Sequence, residues 1–143
     1  MSIDRADWHY GGEYPEGLPP ENGGTHIGMF LAWAIIRDLV GDLHVEESVA
    51  ALAAVRERRM TGREFLFSEC DEKFTEEDLS DLGNAFAADY YPRDEGGFFS
   101  DYEATLGGDL PTLYHVDDTW ENFDRLAAVL DARFVEWRRV SAR

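Results

Sequence analysis

The sequence predicts a mainly α-helical fold: a compact single-domain bundle of five to six helices over residues 1–143, with an irregular N-terminal segment and at most one short strand. Three observations carry this reading. Apolar residues recur three and four apart in several windows, the period of one helix face. Capping boxes stand in front of two of those windows. Glycine and proline punctuate the intervals, and no repeat, low-complexity tract or interdomain linker interrupts the pattern.

The elements follow in order. Residues 1–24 carry Gly11-Gly12, Pro15, Pro19-Pro20 and Gly23-Gly24 and read as an irregular lead-in; Trp8, Tyr10, Tyr14 and Leu18 are its expected anchors on the helical body. Thr25 caps a first helix expected to reach Val40 and to stop at Gly41. Ile27, Phe30, Leu31, Ala34, Ile35 and Leu39 make one apolar stripe of that helix. Met29, Trp33, Ile36 and Val40 make another. A helix apolar on nearly every side belongs at the centre of the core. A second helix is expected from Glu46 to Arg59.

Thr61 with Glu64 forms a capping box, with Met60 and Phe65 at the staple positions, and predicts a short helix over 62–70. Thr75 with Asp78, and Phe74 with Leu79, repeat the pattern and predict a longer helix over 76–91. Phe98, Phe99, Tyr102 and Leu106 suggest a short helix ended by Gly107-Gly108, and 113–116 a short extended segment. The last helix starts at Asp118 or Thr119. It presents Trp120, Phe123, Ala127, Leu130, Phe134 and Trp137 on one face, the cleanest periodicity in the chain.

Composition narrows the functional classes. The chain is 44% hydrophobic and 13% aromatic, too apolar for a disordered segment. Its one cysteine, Cys70, makes no internal disulfide, so a reducing compartment, the cytoplasm, is expected. The opening residues show no signal-peptide pattern. The apolar run from Ile27 to Ile36 is too short for the ~20 residues of a membrane span, so no membrane is expected. Thirty acids against thirteen Lys and Arg give a net charge of −17. That disfavours nucleic acid, which is bound through clustered basic residues.

No motif specifies a reaction. Walker, zincin, nucleophile-elbow and paired-cysteine signatures are missing. The acidic stretch from Asp71 to Asp78 lacks the alternating ligands and turn glycine of a calcium loop. Cys70 lies between Glu69 and Asp71-Glu72, whose charge disfavours a thiolate, and reads as structural. His9, His26, His115 and Asp117 are the candidate metal ligands or acid–base groups. Their spacing does not force them together, so a polar edge where aromatic residues close the core is the preferred reading, with no cofactor assigned. His44 reads as a loop residue.

The strongest feature outside the core is acidic. Thirteen carboxylates and two bases occupy residues 64–103. Some serve helix starts, where negative charge favours the dipole. The surplus, taken as Glu69, Asp71, Glu72, Glu76, Glu77, Asp78, Asp81, Asp94, Glu95, Asp101 and Glu103, points to a basic protein partner. Arg133, Arg138, Arg139 and Arg143 gather at the other end of the chain, where they balance the last helix's dipole or meet a second subunit's acidic face.

The segments Trp8-His-Tyr-Gly-Gly12, Thr25-His-Ile-Gly-Met-Phe-Leu-Ala-Trp33, Gly62-Arg-Glu-Phe-Leu66, Cys70-Asp-Glu-Lys-Phe-Thr75 and Leu113-Tyr-His-Val-Asp-Asp-Thr-Trp120 together resemble a family of small bacterial proteins classed as a domain of unknown function. The resemblance implies no activity and no catalytic residues. In character such proteins are similar to bacterial immunity proteins, which bind and block a cognate toxin. The expectation is therefore a non-enzymatic acidic binding protein, with a His/carboxylate enzyme or small-ligand binder as the alternative.

Overall fold

The computed structural model describes residues 2–141. Strand β1 (Ser2–Arg5) leads directly into α1 (Ala6–Tyr10). A 3₁₀ turn (Pro20–Gly24) then opens into the central helix α2 (Thr25–Ile36). After it come α3 (Asp42–Glu47), α4 (Val49–Arg56), α5 (Gly62–Glu69), strand β2 (Lys73–Thr75) and a 3₁₀ turn (Glu76–Asp78). The chain closes with α6 (Asp81–Tyr90), α7 (Phe98–Tyr102), a π turn (Glu103–Gly107), a 3₁₀ turn (Leu113–His115) and α8 (Trp120–Ser141).

This corrects the expected bundle of five to six helices. Among the described residues there are eight α-helices and a two-stranded antiparallel sheet. The N-terminal segment is also more regular than expected, since it contributes a strand and a helix. Ser2, Asp4 and Arg5 pair with Thr75, Phe74 and Lys73, across a register irregularity between Ser2 and Asp4. A pairing between segments about seventy residues apart leaves no local trace in either one.

The extra helices arise where long periodic stretches are cut. The expected helix to Val40 ends at Ile36, because Asp38 takes a left-handed φ of 58°. Leu39 N–H then donates to Ala34 and Asp38 N–H to Ile35, a Schellman closure built on aspartate instead of glycine. Arg58, at φ 61°, closes α4 in the same way. Gly41 is extended and precedes α3 instead of ending α2. The expected helix from Glu46 to Arg59 breaks at Ser48, whose hydroxyl meets His44 Nδ1 at 3.0 Å.

Both capping boxes form. Thr61–Glu64 starts α5 as expected. Thr75–Asp78 starts only the 3₁₀ turn; Leu79 returns to an extended conformation and bridges Val40, and Ser80 caps α6. The expected extended segment at 113–116 is a 3₁₀ turn instead.

α2 lies at the centre, buried from Thr25 to Ile35. Phe30 and Trp33 meet Phe74, Phe86, Tyr91 and Phe98, ring against ring. α8 lays Phe123, Leu126, Ala127 and Leu130 on this core, while Phe134 reaches Trp33. No helix among the described residues is long and apolar enough to cross a membrane. In the lead-in, Trp8 stays 56% exposed, whereas Ala6 is fully buried and Tyr10 packs on the core.

Candidate functional site

The N-terminal segment and the start of α2 bring together three side chains able to hold a metal ion: Asp4, His9 and His26. Pairing of β1 with β2 fixes Asp4, and Ala6 N–H donates to Glu72 as the chain turns into α1. One helical turn later His9 faces back over Asp4. Gly23 permits the approach, because a Cβ there would press on the Ala6 carbonyl at 3.1 Å and the His9 Cβ at 3.3 Å. His26, in the first turn of α2, completes the group from the core side.

The three residues meet through a few atoms. His9 Nε2 lies 2.8 Å from Asp4 Oδ1, and His26 Nε2 lies 3.2 Å from Asp4 Oδ2 and 3.2 Å from His9 Nε2. The imidazoles stand edge to face with centroids 4.4 Å apart. Asp4 and His9 are each held from behind. Tyr91 donates its hydroxyl to Asp4 Oδ2 at 2.7 Å, and Arg5 N–H donates to Oδ1 at 2.8 Å. His9 Nδ1 sits 2.7 Å from the Tyr114 hydroxyl, whose own backbone carbonyl accepts from Asn22. His26 Nδ1 is buried without a hydrogen-bond partner among the described residues, so that ring's polar contacts are made through Nε2.

Burial sets the charges. Asp4 is 4% exposed and His26 1%. Burial by itself raises the Asp4 carboxyl, but hydrogen bonds from His26 and His9 outweigh it and hold the group well below the usual carboxylate range. Burial lowers His26, and its contacts with Asp4 only partly offset this. Asp4 is thus an anion facing a neutral imidazole, the protonation state a metal ligand needs. Burial, then Asp4, pushes both Tyr91 and Tyr114 upward, so neither supplies a phenolate at neutral pH.

Of the candidate ligands, His9 and His26 converge. His115 instead contacts Thr112 Oγ1 at 2.9 Å, and Asp117 is exposed beside it in the chain. Asp4, Tyr91 and Tyr114 were not among the candidates. Asp4 stands in a segment that reads as irregular, and only the strand pairing gives it a fixed place. His44 is not in a loop; it lies buried on α3 against Asp78 at 2.7 Å.

The acidic residues divide by use. Asp78 is buried against His44. Asp101 is buried between the Tyr90 hydroxyl and the Nε–Nη2 edge of the Arg133 guanidinium. Glu72 accepts from the Tyr10 hydroxyl, and Asp71 faces Lys73 at 3.5 Å. Glu69, Glu76, Glu77, Asp81, Asp94, Glu95 and Glu103 are exposed. Of the C-terminal arginines, Arg133 closes on Asp101, Arg138 lies over the Phe134 ring and Arg139 pairs with Glu136; Arg143 lies outside the described residues.

No curated protein and no solved structure matches the chain. A family model described as a domain of unknown function, DUF7832, matches residues 2–116, a stretch that contains Asp4, His9, His26, Tyr91 and Tyr114 and stops before α8. By that match over most of its length, the chain belongs to the DUF7832 family.

Proposed function

We propose that this is a transition-metal-binding protein, in which Asp4, His9 and His26 hold a zinc-class ion that clamps the N-terminal segment to the central helix. One observation carries the reading: His9 Nε2 lies 2.8 Å from Asp4 Oδ1, His26 Nε2 lies 3.2 Å from Asp4 Oδ2, and the two nitrogens lie 3.2 Å apart. Ligands bound at about 2.0–2.1 Å in a tetrahedron stand about 3.3 Å apart, a spacing the two nitrogens already have, while the carboxylate turns a different oxygen to each of them. Two imidazoles with a carboxylate suit zinc, iron, nickel or copper, and not the oxygen-only sites of calcium or magnesium. In the bound state His9 Nδ1–H donates to Tyr114 and Tyr91 orients Asp4, the outer contacts that metal ligands ordinarily carry.

The test is a Zn²⁺ titration of chelator-stripped protein, followed by NMR of the imidazole nitrogens. The His9 and His26 Nε2 resonances shift on binding, and Asp4→Asn weakens the affinity at least tenfold. Unmoved His9 and His26 signals at saturating Zn²⁺ would overturn the reading.

A second reading keeps the exposed carboxylates as a docking surface for a basic protein, such as a bacterial toxin domain countered in the cytoplasm. It is supported by the net charge of −17 and by the seven exposed acids named above. It requires the partner's binding to weaken as salt rises, with charge reversal at Asp94 and Glu95 having the same effect.

A further inference from the structure

A second group of ligating side chains gathers on different residues, where α3 faces the end of α5 and the turn after β2. His44 Nε2 lies 2.7 Å from Asp78 Oδ1, and Cys70 Sγ lies 3.7 Å from the same nitrogen and 3.5 Å from the same oxygen. Other contacts occupy the far side of each polar group. His44 Nδ1 meets Ser48 Oγ, and Asp78 Oδ2 accepts Thr75 N–H at 2.7 Å. One nitrogen, one oxygen and one sulfur therefore lie within 3.7 Å of one another. His44 and Asp78 are buried, and Cys70 is half-buried.

A catalytic thiol is a poor account of this arrangement. In a nucleophile–base–orienter relay the carboxylate and the thiol take opposite imidazole nitrogens. Here both take Nε2. Burial and the Asp78 charge also push the Cys70 thiol well up, away from a thiolate. A metal ion changes that balance by displacing the thiol proton directly.

We propose that His44, Cys70 and Asp78 form a second transition-metal site, a thiolate–imidazole–carboxylate centre for zinc-class ions. The two edges to sulfur match those of a tetrahedral ion bonded at about 2.3 Å to sulfur and about 2.0–2.1 Å to nitrogen and oxygen, which are about 3.5–3.6 Å. The 2.7 Å edge is a hydrogen bond that opens when the ion replaces its proton. On binding, the thiol proton leaves to solvent and the imidazole proton moves to Nδ1, where the N–H donates a hydrogen bond to Ser48 Oγ. Three protein ligands leave the fourth tetrahedral position to water.

Co²⁺ tests the proposal, because only this site contains sulfur. The reduced, chelator-stripped full chain is titrated with Co²⁺, both directly and during refolding, so that a closed site still fills. The expected result is a near-ultraviolet thiolate-to-cobalt charge-transfer band that saturates by two equivalents, because the sulfur-free site also takes up Co²⁺, and is erased by Zn²⁺. Cys70→Ser removes the band; His26→Ala, in the other site, leaves it. No such band in the wild-type chain at saturating Co²⁺ overturns the proposal. So does a band undiminished in both His44→Ala and Asp78→Asn, because the thiol would then be binding alone. The imidazole signals of His9 and His26 report the first site separately, so either site can fail without the other.

Discussion

At the scale of single residues, chemistry is set by what faces a group from elsewhere in the chain. Asp131 on α8 accepts from the Trp33 indole at 2.8 Å and from the Arg37 guanidinium at 2.8 and 2.7 Å. The Arg37 bonds outweigh the effect of burial and hold its carboxyl below the ordinary value. With the folded value depressed, its contribution to stability is complete above the unfolded value of about 3.9 and is lost as pH falls through the folded one. The Trp33 indole N–H resonance will therefore titrate with a midpoint below 3.9, and Asp131→Asn will abolish that step. A midpoint at or above 3.9 would contradict the assignment. Nothing near Asp131 in the sequence announces this, since Trp33 and Arg37 lie on another helix. The histidines follow the same rule. His9 and His26 stood out as residue types able to bind metal, but Asp4 acquires meaning only once β1 is paired.

At the scale of elements, the helix starts were legible and several of the stops were not. Thr61 and Thr75 announce their turns through side-chain oxygens three residues from their partners, a local geometry that sequence spacing encodes. Asp38 and Arg58 end helices in a conformation that costs a residue with a Cβ roughly 1–2 kcal/mol, so sequence preference points elsewhere, to Gly41. What holds Asp38 there is the tertiary contact of the chain beyond it: Val40 bridges Leu79, and Leu39 accepts from Ser80 N–H. The crossing of α2 and α5 depends on two glycines. A Cβ at Gly62 would collide with the Gly28 carbonyl, and one at Gly28 with the Arg63 backbone. Backbone cannot rotate away as a side chain can. Gly62→Ala and Gly28→Ala are each expected to lose about 3 kcal/mol in urea unfolding, at the upper end for overpacked sites. Gly107→Ala, which would meet only the Glu103 Cβ at 3.7 Å, is expected to stay within about 0.5 kcal/mol of wild type. Equal midpoints for all three would show that the helices do not approach this closely.

At the scale of the whole molecule, the net charge of −17 opposes compaction. Three of its ion pairs between distant segments, Arg37–Asp131, Arg58–Asp124 and Arg56–Asp38, are largely solvated and contribute little each, so salt weakens repulsion more than attraction. In chelator, the Tm is expected to rise by a few degrees between 0.05 and 1 M NaCl, as the screening length shrinks to ~3 Å. A falling Tm would mean that the ion pairs dominate. By itself the sequence determined the helical class, the central place of α2, the amphipathic face of α8 and the acidic character of residues 64–103, because each is written in spacing or composition over a few turns. Only the tertiary structure decided the strand pairing, the number of helices and the two ligand clusters. It also decided that Asp78 and Asp101 are spent inside the fold, while most of the other acids singled out remain on its surface. The reason is physical: Asp4 with His26, and His44 with Asp78, are separated by tens of residues, and no local propensity specifies which distant groups folding will bring to 3.2 and 2.7 Å.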